Sequence, residues 1–426
     1  MRKLIITIVA TVVLVVAVRE AFRLQPTVYL MSTPAVMSTG EINPFDLNPG
    51  LEKSNEMRIL FATNRIPAGS KDNRTYTVFP GDKLSMGIAH MQIGKGGTTW
   101  QQILNLSTSA EKGNRPPLKL NELQELAQYP LDGSVHSPTS TRALADAVNR
   151  VLKRSVDKNI TIYAHGANTN IYRACAQAAQ YHHFTGQNSV VLVFLWPSAE
   201  NLLGYGTDTR HALKSAPAFA RLLTLLAEHT DARSINVLAY SAGAQIVSPA
   251  MNILGRQADK KKRKELRVGE VYYAAADIGF GTFVRHLQSY IDIPRTTTLA
   301  INMSDSVLSL SARRNRESRA GNPDSDDLSP ADYQWVRHAS MEPGLSIIAV
   351  SAETVSGLST RSHDFWYSHP WVSSDVLTQF VFQISPRERG LMEIVTDDGL
   401  PYWIFPPDYP ERIIGIVEGA VAAHPG

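Results

Sequence analysis

Ser241 is the residue in this chain best placed to act as a nucleophile. It lies in Leu238-Ala239-Tyr240-Ser241-Ala242-Gly243, where a short apolar run rich in strand formers gives way to a helical pattern. A serine on a tight strand-to-helix turn, with small residues two positions to either side, is the setting of a nucleophile elbow. Gly243 meets the size requirement on one side, and Ala239 stands where the common Gly-x-Ser-x-Gly pattern has glycine. The plainer reading is that Ser241 only caps the following helix, as serine often does. What separates the two readings is whether an acid, a base and an oxyanion site occur where the chemistry needs them.

In this kind of architecture the partners follow the serine in the order acid, then histidine. Five histidines come after Ser241: His286, His338, His363, His369 and His424. His286 falls inside a predicted helix, His338 beside a charged insert, and His424 is the third residue from the end of the sequence. His363, in Arg361-Ser362-His363-Asp364, follows the last predicted strand and is the expected general base, with His369 in reserve. Two predicted strand ends offer an acid. Asp305 ends the second strand after the elbow and is preferred. Asp277 ends the first and is kept as the alternative, its plainer role being a helix cap. Upstream, a strand runs into His165-Gly166-Ala167-Asn168, where backbone N–H groups can face the serine. The expected oxyanion donors are the N–H groups of Ala167 and Ala242, with His165 bracing the loop.

Positioning these groups requires strands that deliver them to one edge. From Thr141 onward strands and helices alternate. Strands are predicted at 159–164, 190–196, 235–240, 270–275, 297–303 and 345–351, and helices at 141–154, 170–184, 208–229, 242–254, 280–290 and 373–382. Strands apolar on both faces and separated by helices predict an α/β fold with a mostly parallel sheet covered on both sides. Reactive groups in such sheets gather at the carboxyl ends of the strands. Residues 57–426 are therefore read as a single domain, with an N-terminal extension over 57–140 and an insert at 311–334 that is either a lid or a solvated loop.

Composition is that of an ordinary globular chain. The chain of 426 residues is 43% hydrophobic and 19% charged, and its net charge of +3 gives no reason to expect a nucleic-acid partner. The basic run Lys260 to Lys264 reads as a solvated loop. The one cysteine, Cys175, excludes an intramolecular disulfide and a cysteine metal cluster, and no metal or cofactor is expected. Arg2 and Lys3 precede an apolar run from Leu4 to Val18, the pattern of a signal peptide or uncleaved signal anchor over 1–23. Anchoring would leave the body exported, either held at the cell membrane or secreted after cleavage. Residues 24–56, rich in Pro, Ser, Thr and Asn, read as a linker.

The motifs Ala62-Thr63-Asn64-Arg65, Ala164-His165-Gly166-Ala167-Asn168-Thr169, Phe194-Leu195-Trp196-Pro197-Ser198, the Ser241 elbow, Ser304-Asp305 and Ser362-His363 come in a specific order. In that order, over roughly residues 57 to 385, the chain resembles a bacterial group of α/β hydrolases of unknown function with an esterase or lipase label. The resemblance implies an α/β-hydrolase fold and a triad of Ser241, Asp305 and His363. It departs from the group at Tyr240, where histidine is usual beside the serine, and at His369, where asparagine is expected. The expected activity is hydrolysis of a carboxylic ester, small or lipid-like. An amidase or peptidase with the same triad, and a tethered binding protein that keeps the fold without the chemistry, are the alternatives.

Overall fold

The computed structural model describes residues 26–70, 74–110, 113–132, 138–200 and 204–423. Its strands are β1 (Glu56–Ala68), β2 (Thr75–Ile93), β3 (Leu118–Pro130), β4 (Asn159–Ala164), β5 (Val190–Phe194), β6 (Ser234–Tyr240), β7 (Val268–Ala274), β8 (Thr296–Ile301), β9 (Leu345–Ala349), β10 (Met392–Val395) and β11 (Pro401–Ile404). They form one sheet in the order β10-β11-β9-β8-β7-β6-β4-β5-β1-β2-β3. From β11 through β1 the neighbours are parallel. Antiparallel pairing is confined to the two edges. The split follows from the side chains. Every residue of β4, β5 and β6 is buried, as in a strand covered by helices on both faces. In β3, by contrast, Leu123, Ala127 and Tyr129 are buried between more exposed neighbours.

The helices are α1 (Trp100–Ser107), α2 (Pro138–Arg154), α3 (Ile171–Phe184), α4 (Tyr205–His229), α5 (Ala244–Gln257), α6 (Lys260–Glu265), α7 (Phe280–Tyr290), α8 (Ser306–Asn315), α9 (Pro330–Ser340), α10 (Phe365–Ser368), α11 (Pro370–Phe382) and α12 (Tyr409–Ala423). They cover both faces of the sheet. Leu192 and Phe194 of β5 join one core with α2, α4, α5 and α7, and Val191 and Val193 join the other with α3, α11 and α12. The period of two in the strand is what divides the cores. β4 lies between β5 and β6, so the chain crosses to one side of β4 and then to the other. A crevice opens at such a point beyond the carboxyl ends of the strands.

Three expectations need correction. Residues 26–48 do not behave as a linker: Leu30, Met31, Val36, Met37 and Phe45 are buried, and the first four of these belong to the second core. The Met31 N–H donates to Gln180 Oε1. Proline and small polar residues hid these scattered apolar anchors, which follow no period. The basic run 260–264 is the short helix α6, with Asp259 as its N-cap. Residues 311–334, expected to be a lid or a solvated loop, begin in the second half of α8 and end in the first turns of α9. The predicted signal segment, residues 1–23, and His424 lie outside the described residues. Among the described residues no helix is long and apolar enough to cross a membrane. Cys175 is buried in α3.

Burial of histidine makes one property of the fold measurable. His165, His182 and His183 are wholly enclosed, and desolvation pushes them from the ordinary 6.5 down to about 3, about 4 and about 3 respectively. His183 shows what the fold demands. Ser107 Oγ donates to the Ile103 carbonyl, so His183 Nε2–H donates to Ser107 Oγ at 2.7 Å. Its Nδ1 is left buried without a partner among the described residues. A folded-state value below the unfolded one means that the unfolded chain binds more protons as acid is added. The contribution of these histidines to stability is therefore complete above pH 6.5 and falls as the pH drops from 6.5 toward 4. Urea midpoints measured from pH 8 to pH 4 are expected to be flat at the upper end and to decline below 6.5. A midpoint rising over that lower range would contradict the burial of neutral imidazoles.

Candidate active site

Ser241 follows Tyr240, the last residue of β6, and opens a 3-10 turn, Ser241–Gly243, that leads directly into α5. Its φ is +51°, a strained value for a residue with a β-carbon. Close packing makes the turn possible. A β-carbon on Gly243 would stand 2.3 Å from the Ala164 carbonyl oxygen, and one on Gly166 would stand 3.2 Å from Ser241 Cβ. Glycine at these two positions lets α5 and the loop after β4 close around the serine. The Asp277 N–H donates to the Ser241 carbonyl at 3.0 Å, fixing the far side of the elbow.

Ser241 Oγ lies 2.8 Å from His363 Nε2, and His363 Nδ1 lies 2.7 Å from Asp305 Oδ2. The carboxylate accepts, so Nδ1 carries the proton and Nε2 is free to accept from the serine hydroxyl. Asp305 is fully buried and the His363 side chain is 14% exposed. The carboxylate is oriented from its other oxygen: Oδ1 accepts from the N–H groups of Val307 and Leu308, making Asp305 the N-cap of α8. Asn302 ties the acid loop to the base loop by donating to the Ser362 carbonyl at 2.7 Å. The Tyr240 ring packs 5.4 Å from the imidazole of His363. The structure thus joins Ser241, His363 and Asp305 in one hydrogen-bonded chain.

The loop after β4 faces the elbow. His165 is held in place: Nδ1–H donates to the Gly166 carbonyl, and the ring stacks on Trp196 at 5.1 Å. Trp196 Nε1–H donates to the His165 carbonyl. Asp208, on the first turn of α4, accepts from the Asn168 N–H, Ser198 Oγ and the Ala199 N–H. Burial raises its carboxyl, and those donors pull the other way. Ala167 follows Gly166 on this loop, and Ala242 lies within the 3-10 turn that Ser241 opens.

The reserve candidates stand elsewhere. His369 caps α11, with Nδ1 accepting from the Trp371 N–H and Nε2–H donating to the Ser356 carbonyl. Asp277 does not cap α7, whose N-cap is Gly279. It is instead the centre of a buried polar knot. Its carboxylate accepts from Arg319 Nε at 2.7 Å, Ser311 Oγ at 2.6 Å and Tyr205 OH at 2.7 Å, while its carbonyl accepts from Gln245 Nε2. The same knot fixes the insert. The Ala320 N–H donates to the Ile278 carbonyl, Gly321 N–H to Ala276, and Phe280 N–H to Ser318. Residues 318–321 are therefore stitched to the end of β7, neither a solvated loop nor a segment free to swing as a lid. Arg319, Asp208 and Asn302 were not singled out from the sequence, because each holds a partner 40 residues or more away along the chain, Asp277, Asn168 and Ser362 respectively. Asp208 did carry a local signal, an acid in a first helical turn. Among the described residues no group of three or more His, Cys, Asp or Glu side chains could hold a metal ion.

A family model described as alpha/beta hydrolase of unknown function (DUF900) matches residues 140–379. That span takes in the loop after β4, the elbow, Asp305 and His363. The chain is 29% identical over 135 residues to the Uncharacterized protein alr1448 of Nostoc sp. (strain PCC 7120 / SAG 25.82 / UTEX 2576), covering 26% of this chain and 35% of that protein. The matched stretch is thus about a third of the relative's length. Among solved structures, it overlays on that of a candidate cell surface hydrolase from Lactobacillus plantarum WCFS1 with a TM-score of 0.29, at 12% identity, over 53% of this chain and 92% of that one. For a lipase-esterase related protein from Clostridium acetobutylicum ATCC 824 the values are 0.23, 11%, 63% and 94%. At overlays this loose, strand order and the family match carry the assignment.

Proposed function

The chain belongs to the family of alpha/beta hydrolases of unknown function, and from that premise we propose that it is a serine hydrolase acting on carboxylic esters. The observation that carries the reading is the unbroken contact from Ser241 Oγ through His363 to Asp305, at 2.8 and 2.7 Å. Ser241 Oγ attacks the ester carbonyl carbon as its proton passes to His363 Nε2. The carbonyl π electrons move onto oxygen, and the N–H groups of Ala167 and Ala242 receive the oxyanion. Collapse of the adduct breaks the bond to the alcohol oxygen, which leaves with the proton from His363. Water then repeats the sequence on the acyl-enzyme, releasing the acid and restoring the serine. Asp305 keeps the Nδ1 proton in place and stabilises the imidazolium.

A fluorophosphonate probe tests this directly, because it phosphonylates only a serine whose oxygen is activated. The expected product is a single adduct on the peptide carrying Ser241, formed at a rate that falls in parallel with hydrolysis of p-nitrophenyl acetate when His363 is replaced by alanine. Labelling elsewhere, or labelling indifferent to that replacement, would remove the support for the proposal.

A further inference from the structure

The helix that begins at the triad acid carries an unusual outer face. α8 buries Leu308 and Ser311. On its other side Val307 is 48% exposed and Leu310 69%, with Met303 61% exposed in the preceding turn. A spacing of three puts Val307 and Leu310 on one face of the helix, with Met303 in the turn before the helix begins. A row of uncovered apolar side chains is unfavourable in water unless something else meets it. One turn beyond Leu310 the line reaches Arg313 and Arg314, and Arg316 follows; all three are exposed. Among the described residues none of them forms an ion pair, although the Arg314 guanidinium lies 5.2 Å from the Tyr205 ring. Of the acidic residues farther along the insert, Asp327 accepts from the Ser318 N–H and Asp324 from the Asp326 N–H.

Apolar side chains in line with unpaired arginines match the two layers of an anionic membrane surface, acyl boundary and phosphate. We propose that this face of α8 docks on an anionic lipid bilayer. Met303, Val307 and Leu310 enter the interfacial layer, and the three arginines meet the headgroup phosphates. Because Asp305 caps the same helix, docking sets the hydrolytic site against the membrane, where its ester would be drawn from the lipid phase. The inference concerns which face meets the bilayer, and its test reads that contact and not turnover, so it can fail while the hydrolase reading stands.

Cys175 is fully buried, so one introduced surface cysteine can be labelled selectively in the full-length chain. An environment-sensitive fluorophore at Leu310→Cys, with Val307→Cys as a second position, is compared with one at Val156→Cys. Val156 is 59% exposed and lies before the amino end of β4, whereas α8 follows the carboxyl end of β8. Vesicles of equal parts phosphatidylcholine and phosphatidylglycerol are expected to shift emission to the blue at 307 and 310 but not at 156. Pure phosphatidylcholine should give a smaller shift, as should high salt or the added changes Arg313→Gln and Arg316→Gln. The comparison between positions separates this face from any tethering by the N-terminal apolar run. No shift at 307 and 310, an equal shift at 156, or an equal response to both vesicle types overturns the proposal. So does blue emission before vesicles are added: loss on dilution would identify a second copy as the cover, and persistence would identify the chain itself.

Discussion

Ser241→Ala is expected to lower turnover of a p-nitrophenyl ester by at least ~10⁴-fold, about 5.5 kcal/mol of barrier, with little change in melting temperature. The backbone at this position has φ +51°, and alanine has the same β-carbon as serine, so the strain of the elbow is unchanged. What the mutation removes is one hydroxyl whose partner, His363 Nε2, sits in a side chain still 14% exposed and can turn to water. The oxyanion donors remain and sustain only the slow background reaction. Purified wild type and variant, assayed on esters and on the matching p-nitroanilides, also separate ester from amide chemistry. Wild-type turnover in the variant would mean that the nucleophile lies elsewhere. A wild-type protein inert toward both substrates and toward fluorophosphonate would mean a fold without this chemistry.

The parts of the fold that could be read from the sequence are those governed by local pattern. β4 and α7 coincide with their predicted limits, because each is bounded by turn residues and carries a clear period. The residues that the structure joins at Ser241 could be reached by chain order alone, since a parallel sheet brings successive strand ends to one edge. What could not be read depends on contacts between distant segments. Asp277 looked like a cap because only its neighbours in sequence were visible. Its role is set by Arg319, Ser311 and Tyr205, between 34 and 72 residues away. α8 was missed because its apolar residues lie partly on the outside: Val307 and Leu310 are exposed where an amphipathic helix would have polar side chains. Residues 26–48 were read as a linker because Leu30, Val36 and Phe45 are buried as separate anchors with no period between them.

The two aspartates at neighbouring strand ends are expected to respond to the same substitution in opposite ways. Asp305→Asn should keep its structural duty, since asparagine is as good an N-cap as aspartate and its oxygen can still accept from the Val307 and Leu308 N–H groups. The atom facing His363 Nδ1 then becomes an amide nitrogen, which donates. Nδ1 must give up its proton to accept, the proton moves to Nε2, and Nε2 can no longer take the proton of Ser241. Turnover should fall by up to ~10⁴-fold with the melting temperature nearly unchanged. Asp277→Asn should do the reverse. Its carboxylate pairs with Arg319 in a buried site, the two side chains being 4% and 7% exposed, and removing that charge leaves the guanidinium uncompensated at a cost on the order of 3 kcal/mol. The backbone N–H that holds the Ser241 carbonyl survives the change, so turnover per folded molecule should drop far less than for Asp305→Asn. Turnover and melting temperature measured side by side decide the matter. A stable Asp305→Asn protein with near-normal turnover, beside an Asp277→Asn protein that is folded but inactive, would transfer the acid's role to Asp277.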